Sequence, residues 1–98
     1  MKRISILGST GSIGINALSV IDKLKNKFKI VALSAYKNGE LLVKQAKKYK
    51  PEVVSIIDSK AAEFVKKELS NSSSKVLVGR EGLLEISKRE DIDLMLNG

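Results

Sequence analysis

Three glycines near the start of the chain are spaced so that the backbone could hold a phosphate group. Gly8, Gly11 and Gly14 form a G-x-x-G-x-x-G pattern, with Thr10 and Ser12 between them. Glycine lets a backbone approach a ligand closely because it has no Cβ, and hydroxyls can donate hydrogen bonds to phosphate oxygens. A helix that begins here would add unpaired N–H groups and the positive end of its dipole. The pattern predicts either a phosphate-binding turn or a turn whose glycines serve only tight packing.

The strands and helices predicted around this turn help to distinguish a phosphate-binding turn from one that serves only packing. Short apolar runs recur along the chain, and they are continuous rather than alternating, which is typical of parallel strands covered on both faces. Segments with helical spacing separate them, so the sequence predicts an α/β, Rossmann-like doubly wound parallel sheet. The glycine turn then lies between the first strand and the first helix, although its spacing differs from the usual G-x-G-x-x-G fingerprint and from a Walker loop. The predicted strands are Ile4–Leu7, Ile30–Ser34, Val53–Ile57, Lys75–Val78 and Asp93–Leu96.

Each predicted helix carries an apolar stripe that should face the sheet. Pro51 should end the second helix, because proline cannot extend it, and Asp58 or Ser59 should cap the third. The stripes are Ile13, Ala17, Val20, Ile21 and Leu24 in the first helix; Leu42, Gln45, Ala46 and Tyr49, beside Leu41, in the second; Ala61, Phe64, Val65 and Leu69 in the third; and Leu83, Leu84 and Ile86, after Gly79, in the fourth.

Composition excludes several kinds of chemistry. The 98-residue chain has no cysteine and no histidine, so it lacks disulfides, thiolate metal sites and the commonest general base. It has no apolar run long enough to span a membrane and no secretory signature, and a cytoplasmic protein is expected. The net charge is +7, and residues 1–50 contain eleven Lys and Arg against two acids. That basic half fits a solvated lysine-rich face, a phosphorylated ligand, a nucleic acid or a membrane surface.

The end of the second predicted strand indicates which dinucleotide would bind. Sites that prefer NAD usually place an acid there to hold the ribose 2′-hydroxyl, but this strand leads into Tyr36, Lys37 and Asn38. Lys37 stands where a 2′-phosphate would arrive, and the Asn38 amide can donate beside it. These residues favour NADP over NAD, the alternative being one more surface lysine. Tyr36 could flank an adenine or cap the core.

At these residues the chain resembles the 1-deoxy-D-xylulose 5-phosphate reductoisomerase family. The segments that carry the resemblance are KRISILGSTGSIGINALSVI, with the distinctive ILGSTGSIG at Ile6–Gly14, and VALSAYKN at Val31–Asn38. VVSIIDSKAA, VLVGREGLLEIS and DIDLMLNG resemble later stretches more loosely. Many members have a small residue, often glycine, where this chain has Tyr36. The resemblance covers the whole chain but only the N-terminal part of the enzyme.

The resemblance implies a cofactor site and a reaction. Thr10, Gly11, Ser12 and Ile13 would contact NADPH, with Gly8 in the same turn, and Lys37 and Asn38 would hold the 2′-phosphate ribose. The family rearranges its phosphorylated sugar on Mg²⁺ or Mn²⁺ and then reduces the product with NADPH to 2-C-methyl-D-erythritol 4-phosphate, as part of non-mevalonate isoprenoid biosynthesis.

The same resemblance implies that residues 1–98 are the NADPH-binding domain of a longer enzyme, truncated after about the fifth strand. The catalytic residues and metal ligands would lie beyond this chain, which alone should be inactive, and the full-length enzyme would be a homodimer that binds neither nucleic acid nor membrane. Asp91, Asp93, Glu63 and Glu68 are expected to be solvated or capping residues. Two alternatives remain open: an NADP oxidoreductase related to semialdehyde dehydrogenases, and a basic α/β module that binds nucleic acid or a protein partner.

Overall fold

The structure, a computed structural model, describes residues 1–24 and 26–98. Strands and helices alternate along this described part of the chain, as the sequence predicts. The elements are β1 (Lys2–Leu7), α1 (Ser12–Lys23), β2 (Phe28–Ala35), α2 (Gly39–Tyr49), β3 (Val53–Ile56), α3 (Ser59–Glu68), β4 (Lys75–Val78), α4 (Gly79–Ser87) and β5 (Leu94–Asn97).

The five strands form one parallel sheet in the order β4-β3-β2-β1-β5. The chain moves outward from β1 to β4 and returns through α4 to β5, on the other side of β1. The direction of winding therefore reverses at β1, and parallel sheets bind ligands at the carboxyl ends of the strands beside such a reversal. The fold places the glycine turn at that point, because the turn directly follows β1. The predicted Rossmann-like class is confirmed.

The two faces of the sheet are covered unequally. One large apolar cluster joins the sheet to α1, α2 and α3, and it includes Ile6, Leu18 and Val65. A smaller cluster on the other face packs Ile86 of α4 against β2 and β3. Strands buried in this way on both faces need continuous apolar runs, which is the pattern seen in the sequence.

The buried face of α1 differs from the predicted stripe. Gly14 and Leu18 are buried, whereas Ile13 is 64% exposed and Val20 is 55% exposed. The prediction was partly wrong: Ala17 and Ile21 do pack against the core, but the apolar arc of this helix is wider than the side that faces the sheet, so spacing alone does not decide which part of the arc is buried. The close approach of Gly14 to the turn decides it instead.

Smaller departures occur in α3 and α4. Phe64 of the predicted α3 stripe is partly exposed, and Ala62 is buried in its place. Leu84 of α4 is also exposed. Gly82 turns towards the sheet instead, because a Cβ there would lie 2.6 Å from the Leu77 Cβ. Both helices thus bury a small residue that the predicted apolar stripes did not include, because hydrophobicity alone does not mark such positions.

The starts of three strands differ from those predicted from the sequence. β1 and β2 start before the predicted Ile4 and Ile30, because the two residues ahead of each isoleucine already pair across the ladder. β5 begins at Leu94 rather than Asp93. The Asp93 backbone N–H donates to the Arg3 carbonyl (2.8 Å) and its carboxylate accepts from the Arg3 backbone N–H (2.7 Å). Asp93 thus closes the start of the strand as a cap.

Helix starts follow the predicted cap chemistry. The Asp58 carboxylate accepts from the Ala61 N–H of α3 at 2.9 Å, which decides between Asp58 and Ser59. Asn38 caps α2 in the same way, its side-chain oxygen accepting from Leu41 N–H at 3.2 Å. Pro51 follows the end of α2 as expected. Within the described ranges no helix is long and apolar enough to cross a membrane.

Candidate functional site

The turn after β1 needs glycine at its first position for conformational reasons. Gly8 has a positive φ of 74°, a region that side chains disfavour. A Cβ there would also lie 2.8 Å from the Gly98 carbonyl oxygen, at the end of β5. Gly8 therefore lets β1 turn sharply while the chain after β5 packs against it.

Gly14 is required for packing. A Cβ at this position would lie 2.5 Å from the Gly8 carbonyl oxygen and 2.6 Å from the Ser9 Cα. Both are backbone atoms, so neither can move aside cheaply. Gly14 thus allows the first turn of α1 to pack directly on the β1–α1 turn.

Gly11 has neither requirement. Its φ and ψ of −78° and 170° are extended values that any residue can adopt. A Cβ would meet only the Gly8 carbonyl oxygen, at 3.5 Å, which is an ordinary contact. The fold therefore gives no reason for glycine here, and the residue is exposed. Open space in front of a glycine that the fold does not need is what a ligand approaching the backbone requires.

The N-terminus of α1 has no capping side chain and no acidic residue that would compete with a bound anion. Gly11 is the N-cap residue, no side chain caps this end, and the first turn contains no acid. Helix N-termini carry unpaired N–H donors and about half a positive charge. The hydroxyl residues Thr10 and Ser12 flank Gly11, and Ile13 follows in the first turn. The arrangement can bind a phosphate group through the backbone.

A buried polar cluster, Ser9–Ser34–Gln45, holds the turn in place. The Ser9 hydroxyl donates to Gln45 Oε1 at 2.7 Å, and Gln45 Nε2 donates back to the Ser9 carbonyl at 2.8 Å. The Ser34 hydroxyl accepts from the Gly8 N–H at 3.0 Å, and its carbonyl accepts from the Ser9 N–H at 2.8 Å. The cluster ties the turn to both β2 and α2.

Sequence reasoning missed the role of this cluster. Gln45 was assigned to the apolar stripe of α2, and its polarity inside that stripe was the available signal. Buried polar groups need hydrogen-bond partners, so a glutamine among Leu42 and Ala46 indicates a polar partner elsewhere in the chain. Which partner it has is decided only by the crossing of α2 behind the turn.

The loop after β2 lies beside the turn, because β1 and β2 are neighbours with their carboxyl ends at the same edge. Lys37 and Asn38 are both exposed there. The Asn38 side-chain oxygen is engaged in capping α2, which turns its amide nitrogen into the group available to a ligand. Tyr36 is 62% exposed, so the alternative that it caps the core is wrong.

The predicted cofactor residues therefore fall into two groups at one edge of the sheet. Gly8, Thr10, Gly11, Ser12 and Ile13 belong to the turn and the first turn of α1. Lys37 and Asn38 belong to the adjacent loop. Adjacent strands lie about 4.8 Å apart, so one extended ligand can reach both groups.

The opposite edge of the sheet carries an ion-pair cluster that the sequence did not predict. The Arg3 guanidinium contacts Glu52 (3.0 Å) and Asp91 (2.8 Å), and Arg89 bonds to both of the same acids. Hydrogen bonds from Arg89, then Arg3, hold the pKa of the Asp91 carboxyl below its usual range. Those from Arg3 and Arg89 also lower the pKa of Glu52. Asp91 is thus an ion-pair partner rather than a freely solvated acid.

The acidic residues that the structure describes do not form a metal site, and a surface cavity elsewhere in the molecule lies away from the glycine turn. In residues 1–24 and 26–98, no three His, Cys, Asp or Glu side chains are grouped so that they could hold a metal ion. A surface cavity of about 700 Å³ is lined by Met1, Phe28 and Tyr49, among others. Phe28 begins β2, so this cavity lies at the amino ends of the strands, away from the glycine turn. The candidate site is the open edge at the carboxyl ends.

Comparison with known proteins agrees with this geometry. A family model described as 1-deoxy-D-xylulose 5-phosphate reductoisomerase matches residues 4–98. The chain is 46% identical over 96 residues to a protein of that name from Halothermothrix orenii, and 40% identical over 97 residues to one from Thermodesulfovibrio yellowstonii. These alignments cover 98% and 99% of the chain but 25% of each relative.

Solved structures give the same result. A crystal structure of DOX-P reductoisomerase in complex with NADPH, fosmidomycin and magnesium superposes with a TM-score of 0.91 at 27% identity, covering 97% of the chain and 24% of that protein. The reductoisomerase from Zymomonas mobilis in complex with NADPH gives 0.81 at 30% identity, covering 86% and 22%. The chain thus spans about a quarter of the length of the proteins it matches. With a family match over nearly all of its residues and the same fold, the chain belongs to the 1-deoxy-D-xylulose 5-phosphate reductoisomerase family.

Proposed function

We propose that residues 1–98 form the NADPH-binding domain of a reductoisomerase. The whole protein would convert 1-deoxy-D-xylulose 5-phosphate to 2-C-methyl-D-erythritol 4-phosphate by metal-dependent rearrangement followed by NADPH reduction. This chain would supply the cofactor site and would not catalyse alone. The family match over residues 4–98 supports this function over the two alternatives left open by the sequence, a semialdehyde-dehydrogenase relative and a nucleic-acid or partner-binding module.

The observation that carries the proposal is the uncapped start of α1 behind Gly11. The fold explains Gly8 through its positive φ and Gly14 through its close packing, but at Gly11 it shows free space and neither a positive φ nor a close contact that would require glycine. In the proposed complex the pyrophosphate of NADPH occupies that space. The backbone N–H groups of Ser12 and Ile13 donate to it, and the Thr10 and Ser12 hydroxyls add further hydrogen bonds.

The proposed selector for NADPH over NADH is Lys37. β2 ends without an acid that would accept from a ribose 2′-hydroxyl, and Lys37 is exposed at the adjacent edge. A lysine ammonium there favours a 2′-phosphate by direct charge pairing. The Asn38 amide nitrogen is a second donor, because its oxygen is already engaged in capping α2.

The remaining parts of the reaction are proposed for the whole protein. Among residues 1–24 and 26–98 no three acids are grouped so that they could hold a metal ion, so Mg²⁺ or Mn²⁺ and the phosphorylated sugar would be bound by other parts of the whole protein. The metal would supply Lewis-acid polarisation of the substrate. The homodimer, the absence of nucleic-acid or membrane partners and the cytoplasmic location stay predictions from the sequence.

Calorimetric titration with NADPH and then NADH, at fixed moderate salt, tests the proposal. We expect clear heat from NADPH and much weaker binding of NADH. Equal weak binding of both would contradict the role of Lys37 but keep the dinucleotide site. If neither binds to the chain, the titration is repeated on the full-length protein, where failure to bind would refute the proposed site.

A further inference from the structure

Tyr36 is an exposed aromatic residue at the carboxyl end of β2, and the proposed cofactor contacts leave it without a role. It is the first residue after the strand and 62% of its surface is exposed. The core therefore gives no reason for an aromatic side chain here. Single exposed apolar residues are common, but Tyr36 directly precedes Lys37 at the edge where the cofactor site is proposed.

The backbone of Tyr36 is held firmly. Its carbonyl accepts from the Asp58 N–H at 2.7 Å, and one residue later the Lys37 carbonyl accepts from Gly39 N–H at 2.9 Å. Gly39 in turn is buried against α3, where an added Cβ would lie 3.1 Å from a Val65 methyl. The loop that carries Tyr36 is therefore fixed at both ends, which lowers the entropic cost of using its ring as a binding surface.

The covalent structure of the cofactor brings its adenine to this residue. The 2′-phosphate and the adenine are attached to neighbouring carbons of one ribose. If Lys37 binds the 2′-phosphate, the base is held in the same region of the surface as Tyr36, the exposed residue that precedes Lys37 in the chain. Aromatic rings stack on nucleobases because both present a polarisable flat face.

We propose that the Tyr36 ring packs against the adenine of NADPH and strengthens binding of the adenosine half of the cofactor. This inference rests on the proposed function, since it needs Lys37 to hold the 2′-phosphate. It assigns Tyr36 to affinity for the adenosine half and gives it no part in contacts to the nicotinamide half. The phenol hydroxyl is not needed for stacking, so a phenylalanine at position 36 should bind the adenosine half equally well.

Two fragments of the cofactor distinguish stacking on the adenine from a change that disturbs the whole binding site. Adenosine 2′,5′-bisphosphate contains the base and the 2′-phosphate, and reduced nicotinamide mononucleotide contains neither. We expect Tyr36→Leu to weaken binding of the bisphosphate by about tenfold and to leave the mononucleotide within twofold. Tyr36→Phe should bind both like the unaltered chain, and far-UV circular dichroism should show that all variants remain folded.

Tyrosine fluorescence provides a direct readout of the contact. The chain contains two tyrosines and no tryptophan, so its emission reports only Tyr36 and Tyr49. Adenosine 2′,5′-bisphosphate, after correction for its own absorbance, should quench the emission of the unaltered chain and of Tyr49→Phe. Tyr36→Phe should lose that quenching while keeping its affinity.

The results separate the role of Tyr36 from the proposed function. Unchanged affinity of Tyr36→Leu for the bisphosphate, in a chain that binds NADPH, would overturn the role of Tyr36 and leave the proposed function standing. An equal loss for the nicotinamide mononucleotide would also overturn it, because the effect would not belong to the adenosine half. Failure of both the unaltered chain and the full-length protein to bind NADPH and the bisphosphate would overturn the inference together with the cofactor site on which it rests.

Discussion

Replacement of Gly11 by valine should remove dinucleotide binding while the fold is kept, whereas replacement of Gly14 by alanine should damage the fold itself. The two glycines lie one helical turn apart in the same motif. They differ in what surrounds them: a Cβ on Gly14 lies 2.5 Å from a backbone oxygen, and a Cβ on Gly11 lies 3.5 Å from one. The pair therefore separates the ligand role from the packing role.

The expected sizes follow from these distances. Overpacking against backbone atoms costs about 1–3 kcal/mol, so Gly14→Ala should lower the Tm by roughly 5–20 °C for a domain of this size. Gly11→Val keeps an allowed backbone conformation, so its free energy of unfolding should change by less than about 1 kcal/mol. The valine side chain would keep the pyrophosphate away from the backbone. Two charge-assisted hydrogen bonds, worth about 1.5–3 kcal/mol each, would then be lost. NADPH affinity should then fall by about two to four orders of magnitude.

Thermal unfolding and calorimetric titration with NADPH measure both effects, and Gly11→Ala is the matched control. Its small methyl should leave the Tm close to that of the unaltered chain and should reduce affinity less than valine does. The reasoning is refuted if Gly11→Val binds NADPH within threefold of the unaltered chain. It is equally refuted if Gly11→Val loses as much thermal stability as Gly14→Ala.

Three further predictions concern other parts of the molecule. Lys37→Ala should weaken NADPH by about 1.5–3 kcal/mol and leave NADH nearly unchanged in the same titrations, with Lys44→Ala as an exposed control; equal weakening of both cofactors would contradict the 2′-phosphate assignment. Gln45→Leu should lower the free energy of unfolding by about 1–3 kcal/mol, because it leaves buried polar groups unpaired; urea denaturation measures this, and an unchanged midpoint would argue against the buried cluster. Glu52 and Asp91 have lowered pKa values, so their ion pairs stabilise the fold fully above about pH 5, and this contribution is lost progressively as the pH falls from there through the lowered pKa values of the folded state. The Tm should drop there, and Asp91→Asn should make the drop shallower; an identical acid profile in that variant would exclude the ion-pair cluster as its cause.

The buried cluster behind the turn shows why the glycine motif alone is incomplete. Thr10 and Ser12 are recognisable from their place between the glycines, since a phosphate site needs donors there. Ser9 is the other hydroxyl residue of the turn, but it is buried and faces Gln45 of α2. Nothing in the spacing distinguishes Ser9 from its neighbours, because the difference arises from a helix that crosses behind the turn.

The sequence by itself determined the alternation of strands and helices, the parallel class of the sheet and the position of the glycine turn between β1 and α1. Those properties follow from local periodicity and from the conformational limits of glycine and proline, so they can be read within a few residues. It also indicated Lys37 as the residue that would select NADPH, because the end of the second strand has a lysine and lacks the acid that is typical of NAD sites. The tertiary structure alone decided the strand order, the buried side of α1 and the partners of Arg3, Gln45 and Gly14. Each of these depends on which distant segment approaches a residue. Local spacing carries no information about that approach when the apolar arc of a helix is wider than its buried side, or when a polar residue has several possible partners.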